Sequence, residues 1–368
     1  MNHIVPILEK ALKLHNLEKN LEHLKIRLDD IKLATHNFSD TYMIENGGDY
    51  MWYKAEVDHF DKEKHSSVEG KGKGEPPKRC NILVLKRFDG NHEELILNEI
   101  EMLTSAKHRN IVTLLGFCVE GYEMIIVIEN FSNGNLFEYL GNIYYDKRRI
   151  LTWEKRLKIC IDVARALHYL HFEMEEKKIM IQNAIKCYSI GLDENWGAKI
   201  VGFWNAKFHY EDTSKLKRES DVYSFGIVLL EILCGRCAND PIYFQFGDKG
   251  LAELARRNLS TGTLWDMIDP IIKEETSENN FILNRGPNKD SLNTFFQVAN
   301  QCVVETQDQR PTMKVVLKEL EKALLFQEEG VQQPDKNQVV DELEKATHEI
   351  PMRNLENARP YNITTRLT

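Results

Sequence analysis

The chain has 368 residues, 42% apolar and 29% charged, with ten prolines and twenty glycines. That mix is globular, excludes collagen, a disulfide miniprotein or a wholly disordered chain, and supplies a core that needs no metal or disulfide staples. A net charge of −9 from 48 basic and 57 acidic residues leaves no global positive field to draw nucleic acid or an anionic membrane.

The longest apolar runs, Ile125 to Ile128 and Ile227 to Leu230, are too short to span a bilayer. The N-terminus carries Lys10 inside its apolar stretch and lacks a small-residue cleavage site, so it does not read as a signal peptide. Asn at position 2 excludes myristoylation. Seven scattered cysteines point to a reducing compartment and buried thiols. The expected location is cytoplasmic, peripheral to the plasma membrane only through partners. The sequons at Asn37, Asn258 and Asn362 then read as chance matches.

In chain order, Leu8, Leu12, Leu17, Leu21, Leu24 and Leu28 predict an amphipathic helix over 7–33, a leader segment 1–33 that packs on the main domain or pairs with a partner helix. Residues 81–88, 111–118 and 124–129 read as strands, and 94–106 as a helix whose inward stripe is Ile96, Ile100 and Leu103 with Glu99 beside it. The polar stretch 58–79 reads as a long loop. Helices are predicted over 153–172, 221–233, 292–304 and 312–326. The second is apolar nearly all round and so belongs at the centre of a domain, with Ser220 or Asp221 as its cap and Thr312 as the cap of the last. Residues 327–368 read as a polar, loosely ordered tail.

A strand-rich part with one helix, 34–130, followed by a helical part, 131–326, resembles a protein kinase, an α+β fold of two lobes. Five stretches carry the resemblance: DIKLATHNFSD (30–40), HRNIVTLLGFCVEG (108–121), LTWEKRLKICIDVARALHYLH (151–171), KLKRESDVYSFGIVLLEILCGR (215–236) and QRPTMKVVLKELEKAL (309–324). They are similar to plant receptor-like kinases, the FERONIA-like branch above all, over roughly residues 30 to 326.

The resemblance implies a site, and the residues at its positions depart from the pattern. A glycine-rich loop lets backbone N–H groups approach phosphates; the matching positions are Glu45, Gly47, Tyr50 and Trp52, so Gly47, with Gly48 beside it, is what remains of a vestigial nucleotide loop. Trp52 stands where the adenine ceiling is implied. Lys86 matches the phosphate-pairing lysine and Glu99 the helix glutamate that orients it; a salt bridge locking helix to sheet would explain both equally. The catalytic loop reads Gln182-Asn183-Ala184-Ile185-Lys186-Cys187-Tyr188-Ser189. Ala184 stands at the general-base position and Ser189 at that of a magnesium-binding Asn, while Lys186 is kept. Gly202-Phe203-Trp204 replaces the magnesium loop, with Gly202 in place of its Asp. Only residues 205–219 are left for an activation segment. Arg310 should therefore lack its usual glutamate and turn to Glu219 or solvent. Cys234 and Cys237 form a lone CxxC, too few ligands for zinc, and no histidine spacing suggests a metal.

The expectation is a cytoplasmic pseudokinase that scaffolds or competes with active receptor-like kinases, binding protein and not nucleic acid, with no metal and no cofactor. The alternative is a weakly active ATP-dependent serine/threonine kinase using Lys86 and Lys186, and only then would ATP and magnesium be cofactors. The retained core helices argue against a decayed product that barely folds.

Overall fold

A computed structural model describes residues 19–46, 50–57, 80–87, 93–140, 151–175, 178–210, 215–247, 249–274 and 287–332. The chain divides into a unit Met1–Gln327 and a second unit Glu328–Thr368. Of the second, only the continuation of a helix to Gln332 is described. The expected helix over residues 7–18, the loop 58–79 and the tail beyond 332 lie outside the described residues.

The first half forms a five-stranded antiparallel sheet in the order β1-β2-β3-β5-β4. Its strands are β1 (Met43–Asn46), β2 (Tyr50–Val57), β3 (Cys80–Arg87), β4 (Leu114–Glu120) and β5 (Glu123–Glu129). The apolar run Ile125–Ile128 is buried on both faces of β5, which places it inside the sheet. One helix, Glu93–Ser105, lies between β3 and β4 in the chain and buries Ile96, Leu97, Ile100 and Leu103.

The leucine spacing predicts a continuous helix to residue 33, and the structure corrects this. The chain makes a 3-10 turn at Glu22–Leu24, runs extended, then forms a separate helix, Leu28–Ala34. Lys25 bridges to Phe117 beside β4, and the Ile26 N–H donates to the Phe117 carbonyl at 2.8 Å. Ile26 seats over Gly116, where a Cβ would meet the Ile26 side chain and lie 2.7 Å from the Leu24 carbonyl. Docking onto the sheet edge overrides helical propensity, which is a weak prior per residue. We name Leu28–Ala34 α1 and Glu93–Ser105 α2.

The second half holds α3 (Trp153–Phe172), α4 (Lys215–Cys234), α5 (Gly250–Thr261), α6 (Leu264–Met267), α7 (Pro270–Glu274), α8 (Lys289–Cys302) and α9 (Met313–Gln332). Thr152 caps α3 by accepting the Lys155 N–H. Short strands β6 (Lys178–Ile181), β7 (Ile190–Leu192), β8 (Ala198–Ile200) and β9 (Lys207–Tyr210) pair as β6 with β9 and β7 with β8. Arg156 ties α3 to α4 and to the chain beyond it: its guanidinium donates to the carbonyls of Leu151 and Ile232 and to Asp269, all buried. Among the described residues no helix is long and apolar enough to cross a membrane. The fold is the two-lobed α+β architecture of a protein kinase.

A second correction concerns α4. Ser220 and Asp221 do not cap it, because the helix begins at Lys215. Asp221 lies within the helix, fully buried, and its carboxylate is taken by the chain after β6.

Candidate functional site

The site lies where α2, the chain after β6 and the chain after β8 converge. Asp221 of α4 sets its floor. Its two carboxylate oxygens accept the N–H groups of Gln182 at 2.9 Å and Asn183 at 2.8 Å, and Oδ2 meets His171 Nε2 at 2.9 Å. The signal in the sequence was an acid directly before the apolar run Val222–Leu230, since a buried carboxylate without partners is too costly to keep.

From this floor the chain turns at Asn183, with φ +63. Gln182 is fully buried; its Nε2 donates to the Gly202 carbonyl at 2.8 Å and its Oε1 accepts the Ala184 N–H at 2.7 Å. Exposed Asn183 reaches the Asn205 carbonyl at 3.2 Å. Ala184 brings only a methyl group to this turn. Lys186 is exposed, with Nζ 5.9 Å from the Tyr188 ring. Ser189 is buried and locally committed: Oγ accepts the Lys186 N–H at 3.0 Å and lies 2.8 Å from the Lys186 carbonyl and 3.3 Å from that of Ala184.

The opposite wall is the segment after β8. Gly202 has φ +77, a conformation that side chains resist. A Cβ there would lie 2.8 Å from the Trp204 indole. The same indole stands 5.7 Å from the Tyr50 ring of β2, and Tyr50 meets Trp52 edge-on at 6.1 Å. An aromatic row thus runs from β2 to the segment after β8.

Glu99 and Asn98 of α2 hold this segment. Glu99 is 5% exposed and Oε1 accepts the Phe203 N–H at 3.0 Å. Burial pushes its carboxyl up to about 7, against the pull of the Phe203 and Gly202 N–H groups. Asn98 Nδ2 lies within hydrogen-bond reach of the carbonyls of Phe203, Trp204 and Ala206, at 3.3, 3.0 and 2.9 Å. The sequence did not single out Asn98, because an amide on a helix carries no mark of the carbonyls it will meet.

Lys86 sits in β3 with its backbone opposite Met51 and Ile125. Its side chain, the Glu45 side chain, and Gly47 and Gly48 lie outside the described residues, so the expected Lys86–Glu99 pair does too. Arg310 is not left to solvent. It donates to the backbone carbonyls of Glu219, Val304 and Glu305 and lies over Tyr223, 4.6 Å from the ring centroid. Glu219 is therefore its partner through the carbonyl, not the carboxylate. Nor do the CxxC cysteines act together, for Cys237 Sγ lies 3.5 Å from Cys187. Cys234 is buried, which pushes its thiol up to about 12.

A family model for protein tyrosine and serine/threonine kinases matches residues 68–320. Among curated proteins the chain is similar to the receptor-like protein kinases ANXUR2 and FERONIA of Arabidopsis thaliana, each 34% identical. The alignments cover 83% and 81% of this chain but 34% and 32% of those relatives. The chain thus spans about a third of the length of the relatives it matches. With the fold and the order of its motifs, the match means that the chain belongs to the protein kinase family, with FERONIA- and ANXUR-type receptor-like kinases as its relatives.

Proposed function

We propose that this chain is a pseudokinase: a kinase-fold module that works by binding proteins, active receptor-like kinases among them, and not by phosphoryl transfer. The observation that carries the reading is the Trp204 indole, which fills the space any side chain at position 202 would need and stands beside Tyr50. The residues present do not suit magnesium–ATP. Position 184 offers a methyl group, position 202 offers no side chain, and the Ser189 hydroxyl is engaged by its own turn. Hard cations need several oxygens. The bond from Glu99 to the Phe203 N–H further supports a structural role for that retained glutamate.

A thermal-shift titration with ATP, with and without magnesium, tests the proposal. Nucleotide at about 100 times its dissociation constant stabilises a protein by about 2.7 kcal/mol. No rise in melting temperature is expected at millimolar nucleotide. A magnesium-dependent rise, joined to phosphate transfer that Lys86→Ala abolishes, would establish the weakly active kinase instead.

A further inference from the structure

We infer that Cys187, Glu231 and Cys237 form a binding site for a thiolate-preferring divalent cation, zinc, which staples the chain after β6 to the end of α4.

Sequence spacing couples Cys237 with Cys234, whereas the fold brings Cys187 to it from fifty residues away, with the two Sγ atoms 3.5 Å apart. Glu231, one turn before the end of α4, places Oε1 3.8 Å from Cys187 Sγ. The ligand atoms of the three residues lie within 4.8 Å of one another, the one such group among the described residues. Zinc binds thiolates at about 2.3 Å and carboxylates at about 2.0–2.2 Å in a tetrahedron. Two sulfurs on one such ion stand about 3.8 Å apart, and a sulfur and an oxygen about 3.5 Å apart. The Sγ–Sγ and Cys187 Sγ–Oε1 separations each lie within about 0.3 Å of these values. A disulfide would need the sulfurs to close to about 2.05 Å.

A second observation points to a ligand. Glu231 is 4% exposed, and its Oε2 has no hydrogen-bond partner among the described residues. Oε1 is held by the Ala238 N–H at 2.8 Å, which fixes the carboxylate. A buried polar atom left unsatisfied is uncommon and costly, and a cation bound by this carboxylate beside the thiols would offset that cost. Cys187 and Cys237 are 2% and 6% exposed, so the ion would be shielded from bulk solvent, with a single water as the fourth ligand of its tetrahedron. Loading releases one proton from each cysteine to buffer as two zinc–sulfur bonds form, and a third if Glu231 is protonated.

The test uses the full chain, reduced with a phosphine and stripped with a chelator, then titrated with cobalt(II) and afterwards zinc. One equivalent of cobalt should give thiolate charge-transfer and tetrahedral ligand-field bands, which zinc then erases. Outer-shell changes at metal sites already cost about 10- to 100-fold in affinity. Cys187→Ser and Cys237→Ser should each weaken binding by at least about 100-fold, while Cys234→Ser should leave it unchanged. Should the serine variants unfold, proton release by the unaltered protein decides: at least two protons per zinc are expected. The inference is overturned by silent cobalt spectra, by fewer than two protons released, by bands that persist in both serine variants, or by a stable Cys187–Cys237 disulfide that excludes metal.

Discussion

Glu99 is the residue at which burial and hydrogen bonding compete most plainly. Its carboxyl is pushed from 4.5 to about 7 by burial, so the folded state holds a proton that the unfolded state releases across that interval. Stability then falls as pH rises from about 4.5 to 7 and is flat above, by about 3 kcal/mol at most. Glu99→Gln keeps an acceptor for the Phe203 N–H and has nothing to titrate. Chemical denaturation at stepped pH should show that slope in the parent chain and its loss in the variant. Gly202 makes a second case. Its φ of +77 and the indole 2.8 Å from a virtual Cβ both oppose a side chain. Gly202→Asp should cost about 1–3 kcal/mol by crowding. Part of that cost should vanish when Trp204→Ala is present, because the two changes share one space. A double-mutant cycle that finds the two additive would remove the indole from the explanation.

At the scale of elements, α4 is the organising rod. It is a twenty-residue helix in which Asp221, its most deeply buried acid, accepts two backbone N–H groups and meets His171. This fixes the turn at Asn183 whether or not the turn performs chemistry. Asp221→Ala leaves those donors unsatisfied in the interior, each costing about 1–3 kcal/mol. A melting temperature lowered by several degrees, with loss of protection at the Gln182 and Asn183 amides in hydrogen exchange, is the expected result. Unchanged exchange at those two amides would show that the turn holds itself. α2 performs the matching task on the other wall through Asn98 and Glu99. The two walls are joined directly where Gln182 Nε2 meets the Gly202 carbonyl.

For the molecule as a whole, the proposed loss of chemistry is distributed. On the proposed reading, Ala184 stands at the base position, Ser189 and Gly202 stand at the magnesium positions, and the segment before α4 is short. β9 is already paired with β6 and α4 begins at Lys215, so few residues remain to receive a substrate. Reinstating the family residues with Ala184→Asp, Ser189→Asn and Gly202→Asp together should therefore yield no phosphate transfer above a heat-killed control, even where the variant is folded by circular dichroism. Transfer of labelled phosphate by that triple variant would mean that the short segment is sufficient and that point changes alone silenced the family's chemistry.

The sequence by itself determined the lobes, because their signals are local and periodic. The β-branched runs of β3 and β5, the stripe of α2 and the apolar girth of α4 each announce an element within a dozen residues. It also determined that positions 184 and 202 offer no side-chain oxygen, since Ala and Gly carry none in any fold. What only the tertiary structure decided are the relations between distant residues. Ile26 runs extended because Gly116 lies beneath it, Arg310 finds the Glu219 carbonyl instead of a side chain, and Cys237 meets Cys187 instead of Cys234. Spacing along the chain encodes which face of an element a residue occupies. It does not encode which distant backbone carbonyl, ring or thiol that face will meet, because those contacts arise from the packing of elements whose crossing the local pattern leaves open.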